Sequence, residues 1–377
     1  MPIVGGLDIH RKQITFDYLD TVTGQVCRGQ VSPADREHLR AWLARFAGRE
    51  DVAFALEGCT GWRYVAEELA AAGIAAHLAE PADTAAARGR KRRAKTDKTG
   101  SRHLRELLAE GRLPECWIPP SRILDCRALL ETYHDLRAGH TAWVQRVHAV
   151  FFHQGAPALA DGALRVGRCD VEALRAAACC LSRAGQLQVA TAREVLAALE
   201  ARLEEPRREL VDAARHLAGA RALAARLYGV GPVTALAMTC WLGGAGRFSS
   251  SPKAVRFAGL DITVYSCDSE RSPGRLSRQG PPVLRWAVYE AGKVHARGTA
   301  PDHAYYAQAR DRKDGKRAAL SEARKIIRAV FALYCAAGLR QRPGVTPSRR
   351  AGRPPLAARY IRALTGVVSR QVHGRPA

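Results

Sequence analysis

Three carboxylates stand where a divalent cation could use them. Asp8 ends the apolar run of "IVGGLDIH", Glu57 ends "DVAFALE", and Asp97 opens a helical stretch after "RKRRAKT". Each alone is ordinary surface chemistry, such as a solvated aspartate opening a turn. The triplet, at two strand ends and one helix start, is the signal. Hard oxygen ligands of this kind suit Mg²⁺, which keeps several waters and takes phosphate oxygens as further ligands. Two such ions would clamp the attacking and leaving oxygens of an in-line phosphoryl displacement. Arg90, Lys91, Arg92, Arg93 and Lys95 crowd the stretch just before Asp97. A charge run is usually a solvated face, but beside acidic ligands it suits a site that must hold a phosphodiester.

To meet, these side chains must be set by a sheet. Residues 3–31 read as strands, "IVGGLDIH", "QITFDYLD" and "QVCRGQVS", with the turn-rich "TVTG" before the last. "PADREHLRAWLARFAG" reads as a helix, with Pro33 near its start and Gly48 near its end. "DVAFALEG" is a buried-type strand, "GWRYVAEELAAAG" an amphipathic helix and "IAAHLAE" a fifth strand. Three strands, helix, strand, helix, strand make an α/β layer with a mixed sheet. That order resembles the ribonuclease H-like fold, in which the first and fourth strands are neighbours, so Asp8 and Glu57 would face each other.

Beyond residue 118 the pattern changes. From about 120 to 155, and again from about 170 to 226 with an interruption at Pro206, Leu and Ala recur at helical spacing. Such lengths between two globular segments predict a coiled-coil hairpin, with a long helix pair inside one compact domain as the alternative. "LYGVGPVTALAM" reads as a helix-hairpin-helix, whose Gly229 and Gly231 let backbone N–H groups approach a phosphate, or as a plain glycine loop between helices. More helix is expected up to about 339. The tail, 340–377, carries nine arginines and no Asp, Glu or Lys. It reads as a loose nucleic-acid-facing arm, helical around "LAARYIRALTG", with "AGRPP" as a minor-groove hook. The expected domains are 1–118, a metal-dependent catalytic domain; 119–222, a helical linker; 223–339, a mainly α C-terminal domain; and 340–377, the basic tail.

Charge decides the partner class. Lys and Arg outnumber Asp and Glu by 59 to 36 in 377 residues, a net charge of +23. A surplus that large favours a polyanion, through release of counterions from phosphates. No run of about 18 apolar residues appears, and "MPIVGGLDIH" does not have the form of a signal peptide. The ten cysteines form no CxxC pair, which speaks against structural zinc and for reduced thiols in a cytoplasmic, nucleoid-associated protein.

Taken in order, these segments resemble an IS110-family transposase over nearly the whole chain up to about residue 330. "GLDIH", "ALEGCTGW" and "AKTDKTG" are similar to that family's RuvC-like domain, and carry Asp8, Glu57 and Asp97. "YGVGPVTA", "FSSSPKAVRFAGL" and "SPGRLSRQGPPVLRWAVYEA" are similar to its second catalytic domain. The resemblance implies a DNA recombinase that moves its own insertion sequence by phosphodiester transesterification, with Mg²⁺ as cofactor. It also implies a structured guide RNA and a homo-oligomer, dimer or tetramer. The acids of one protomer and the serine of another would form a composite site spanned by the coiled coil.

The family's second domain uses a serine nucleophile, and aligning F-x-S before A-G-L gives Ser250, flanked by Ser249 and Ser251. Attack on phosphorus would give a phosphoserine that conserves the bond for rejoining; capping of the following helix is the other use of "SSSP". No histidine lies between 229 and 290, which excludes a Ser-His-Asp triad within this segment. Arg247, Lys253, Arg256, Arg271, Arg275, Arg278 and Arg285 would instead stabilise the developing charge and lower the serine pKa. One departure matters. The family pattern expects a fourth acid three residues after Asp97, and Gly100 stands there. Its loss removes a metal ligand, with Ser101 or a water substituting in part, and an Asp at 100 is expected to raise activity. Two other readings remain beside the recombinase: a metal-dependent, structure-specific nuclease, which needs the acids but not Ser250, and a catalytically impaired nucleic-acid-binding relic, for which Gly100 argues.

Overall fold

The computed structural model describes residues 2–87, 97–160, 163–164, 171–263, 265–267, 270–272 and 274–337. The basic run with Arg90, Lys91, Arg92, Arg93 and Lys95, and the tail, lie outside the described residues. The chain forms two compact units, Met1–Ile118 and Pro119–Ala377.

In the first unit the elements follow as β1 (Ile3–Ile9), β2 (Ile14–Asp20), β3 (Val26–Val31), α1 (Arg36–Leu43), β4 (Val52–Glu57), α2 (Trp62–Ala71), β5 (Ala75–Ala79), α3 (Pro81–Ala87), α4 (Asp97–Ala109) and β6 (Glu115–Cys116). The sheet order is β3-β2-β1-β4-β5-β6. β1 is antiparallel to β2 and parallel to β4, in a register that pairs Leu7 with Leu56. A strand with helices on both faces must be apolar on both, and β1 is buried along its whole length. Leu7, Ile9, Phe54 and Leu56 face a core with Leu39, Trp42, Val65 and Leu69 from α1 and α2. The opposite face, with Ala55 and Ala79, packs against Leu104 of α4. Glu68, buried on α2, fastens α1 by accepting from Arg36 at 2.6 Å and from Arg40 at 2.6 and 2.9 Å.

The second unit is mainly helical: α5 (Ser121–His153), α6 (Val171–Ala178), α7 (Arg183–His216), α8 (Ala218–Arg226), α9 (Pro232–Leu242), α10 (Ser251–Phe257), the hairpin β7 (Tyr265–Cys267) and β8 (Glu270–Ser272), α11 (Pro282–Val294), α12 (His303–Arg312) and α13 (Gly315–Ala336). α5 and α7 pack antiparallel: Cys126 and Leu130 share a core with Leu210 and Ala214, while Val147 and Phe151 share another with Val189 and Ala192. Buried positions recur at seven-residue steps, Cys126, Tyr133, His140 and Val147 on α5, and Val189, Leu196, Leu203 and Leu210 on α7. Contrary to the expected interruption, α7 runs through Pro206. Leu203 and Leu210, buried in the same core on either side, hold both adjoining turns. The breaks fall elsewhere: at Ser182, whose hydroxyl accepts from the Gly185 N–H at 3.2 Å, and at Leu217, which is extended.

Candidate active site

Side chains two apart on a strand share a face, so Gly6 and Asp8 line the side of β1 that α4 covers, and His10 follows directly after the strand's last residue. Gly6 sets the spacing. A Cβ there would lie 2.0 Å from the Ser101 carbonyl oxygen and 2.8 Å from the Arg105 nitrogen, so α4 can rest its backbone on β1 only over a glycine. Arg105 ties α4 to β2 through Asp17 at 2.7 Å, and Arg28 holds the other oxygen of that buried carboxylate at 2.7 Å. The first turn of α4 is thereby delivered to the end of β1.

There Asp8, Asp97 and His10 come together. His10 Nε2 lies 3.2 Å from Asp8 Oδ1 and 3.2 Å from Asp97 Oδ1. One ligand atom from each of the three lies within 4.8 Å of the others. Asp8 is buried, Asp97 half-buried and His10 exposed. Gln13 Nε2 donates to Asp97 Oδ2 at 3.3 Å. Glu57 ends β4, one step beyond the Leu7–Leu56 pair, and so comes alongside Asp8 on the α4 face. Its carboxylate is not part of the group that gathers within 4.8 Å.

Position 100 faces the same place: a Cβ on Gly100 would lie 2.1 Å from Asp8 Oδ2. Two expectations change. An aspartate at 100 would meet Asp8 as it is set here, so it cannot simply be added to the site. Ser101 is buried and its hydroxyl donates to the Asp97 and Lys98 carbonyls at 3.2 and 3.3 Å, so it serves its own helix rather than the cluster. His10 is the member that the sequence reading missed. The only local sign was its two-residue spacing from Asp8.

In the second unit Ser250 holds the N-cap position of α10, and its carbonyl accepts from the Lys253 and Ala254 N–H groups at 3.1 and 3.3 Å. Its hydroxyl makes no capping hydrogen bond. Lys253, Arg256, Arg275 and Arg278 are exposed, and Arg256 approaches Asp261 at 3.9 Å. Arg247 and Arg285 hydrogen-bond to backbone carbonyls. Arg247 donates to the Trp241 and Leu242 carbonyls at 2.7 and 2.9 Å, and Arg285 to that of Arg278 at 3.2 Å. Desolvation pushes the Arg285 pKa down, with Arg278 adding to the effect. The side chain of Arg271 lies outside the described residues. The turn between α8 and α9 uses its glycines differently from one another. Gly229 has φ +76°, and a Cβ there would lie 2.8 Å from the Ala291 carbonyl oxygen, so it is needed for packing on α11. Gly231 precedes α9 with open space around it.

A second polar cluster, also unforeseen, is buried among α11, α12 and α13. Asp302 accepts from His295 Nδ1 and, at 2.5 Å, from Lys325 Nζ, which also donates to Glu322 at 3.1 Å. Glu322 is fully buried, and desolvation pushes its pKa up to about 7. The Lys325 ammonium already fills the cation's place between these carboxylates.

An acid cluster on a mixed sheet and a helical unit bearing exposed arginines would suit an enzyme that acts on nucleic acid. Residues 221–307, from α8 into α12, match the Transposase IS116/IS110/IS902 family. That match supports an IS110-family transposase, a family of enzymes that bind, cleave and recombine DNA. No curated protein matches it. No helix among the described residues is long and apolar enough to cross a membrane.

Proposed function

We propose that the protein is a recombinase that moves its own insertion sequence under the direction of a structured RNA. Its first unit acts as a RuvC-like, metal-dependent site, and its second unit lends a serine nucleophile. The observation that carries the reading is the meeting of Asp8 and Asp97 around His10 at the end of the central strand. The strand order supports a ribonuclease H-like ancestry, and the seven-residue recurrence on α5 and α7 supports a coiled-coil hairpin that joins protomers.

The donor set suits a divalent cation, with two carboxylates and an imidazole nitrogen, and the missing Cβ of Gly100 leaves room for the Asp8 carboxylate itself. Asp8 and Asp97 would hold Mg²⁺ or a related ion, with Glu57 completing the set from β4. Such an ion, when bound, supplies charge neutralisation at phosphate oxygens. The chain's own groups do the rest. Exposed Lys253, Arg256, Arg275 and Arg278 hold the phosphodiester and offset its developing charge. Ser250 Oγ attacks phosphorus, the P–O bond to the sugar breaks, and the serine proton passes to the departing sugar oxygen. The phosphoserine ester keeps the bond energy until another sugar hydroxyl attacks it and regenerates Ser250.

The test is to incubate protein, RNA and paired DNA sites, denature in detergent, and map any DNA-linked peptide by mass spectrometry. DNA is expected on the peptide spanning Ser249–Ser251, and to be lost in Ser250→Ala. An adduct on a different peptide would move the nucleophile elsewhere. Metal-dependent cutting without any adduct, undisturbed by Ser250→Ala, would make the protein a nuclease instead.

A further inference from the structure

We propose that His10 is itself a metal ligand beside Asp8 and Asp97, in a set without an acid at position 100, and that the site therefore prefers Mn²⁺ or a similar transition cation over Mg²⁺. This inference rests on the reading of Asp8 and Asp97 as metal ligands.

His10 Nε2 is 3.2 Å from an oxygen of each aspartate, and the three donor atoms fall within one ion's reach. His10 follows directly after the last residue of β1, where its N–H donates to the Gln13 carbonyl at 2.9 Å in the connection to β2. Of the neighbouring groups, Gln13 donates its amide to Asp97 within the cluster, and Ser101 donates to helix carbonyls. The side chain that a fourth acid would have contributed is absent at Gly100, and Asp8 Oδ2 turns toward the space it leaves.

The substitution of ligand types has a chemical consequence. Mg²⁺ demands oxygen ligands and gains most from negative charge around it. A neutral imidazole in place of a carboxylate withdraws one negative charge and offers a nitrogen, which suits first-row transition ions. The competing role for His10 is that of a counter-ion, an imidazolium bridging two carboxylates where a metal would sit. The two roles have opposite signs. Removing a ligand weakens metal binding; removing a resident cation strengthens it.

The experiment titrates Mn²⁺ into the full chain and follows the free-ion signal by electron paramagnetic resonance, with pulsed measurement of nitrogen coupling on the bound ion. Wild type, His10→Ala and Asp8→Asn are compared, and Mg²⁺ is run as competitor. Wild type is expected to favour Mn²⁺ over Mg²⁺ by about tenfold or more. His10→Ala should weaken Mn²⁺ binding by about tenfold and abolish the nitrogen coupling, with much less effect on Mg²⁺. His10 is exposed, so the variant should melt close to wild type, which circular dichroism checks. Equal or tighter Mn²⁺ binding in His10→Ala, with Asp8→Asn still impaired, overturns the ligand role and leaves the aspartate site standing. Failure of wild type to bind Mn²⁺, or indifference to Asp8→Asn, overturns the inference together with the reading beneath it.

Discussion

Gly100 is the tightest constraint on the cluster, because the missing Cβ would stand 2.1 Å from Asp8 Oδ2. In Gly100→Ala the helix itself gains, by up to about 1 kcal/mol, yet the Asp8 carboxylate must turn out of its present position. Metal affinity is expected to fall by about tenfold, a loss of roughly 1.4 kcal/mol, as read by calorimetric titration of Mn²⁺ into the variant and the wild type. Unchanged affinity would contradict this placement of position 100. That Asp8 and Glu57 close buried strands was legible in the sequence, because an apolar run that stops on a carboxylate is a local pattern, and Asp97 showed as the acid that opens a helix after a basic run. Gly6 and His10 were not, since their roles depend on α4 lying across β1. A glycine whose value is an absent Cβ announces nothing to a reader of periodicity.

Among elements, the anchoring of α13 to α11 and α12 through the buried cluster has the clearest solution signature. Glu322 faces Lys325, Asp302 and His295, and burial pushes its pKa from the ordinary 4.5 up to about 7. The folded protein therefore holds a proton there between about pH 4.5 and 7 that the unfolded chain releases, so stability falls as pH rises through that window. For His295, burial lowers the pKa, but bonding to Asp302 outweighs it and the net direction is up, which extends the decline above pH 6.5. Asp302 moves the other way: burial raises it, and bonds from His295 and Lys325 more than reverse this, so its contribution is lost only below the usual aspartate range. Thermal melts of wild type should fall from pH 5 to pH 8. Glu322→Gln, which keeps an oxygen for Lys325, should flatten the slope by on the order of 1–3 kcal/mol. A slope as steep in the variant would contradict the buried carboxyl's part in it. The long elements were readable here, α5 and α7 above all, since three- and four-residue spacing persists over many turns. The two-residue β6 and three-residue β7 and β8 carry too few side chains to show a period, and the splitting of 170–226 into three helices follows from caps at Ser182 and Leu217 that hydrophobic spacing does not register.

At the level of the whole molecule, the proposed acidic metal site is carried by a chain with a net charge of +23. In the proposed function the two belong together: the surplus would draw the DNA backbone, and the local carboxylates would gather the cations for its cleavage. The most direct test is strand cleavage of element-end DNA, with guide RNA and Mn²⁺ or Mg²⁺ present, by wild type and by Asp8→Asn, which preserves shape while removing one ligand charge. Cleavage should depend on the added ion and fall by at least about a hundredfold in the variant. Asp8→Asn cutting at the wild-type rate, with the ion still required, would contradict the assignment of this cluster as the catalytic metal site.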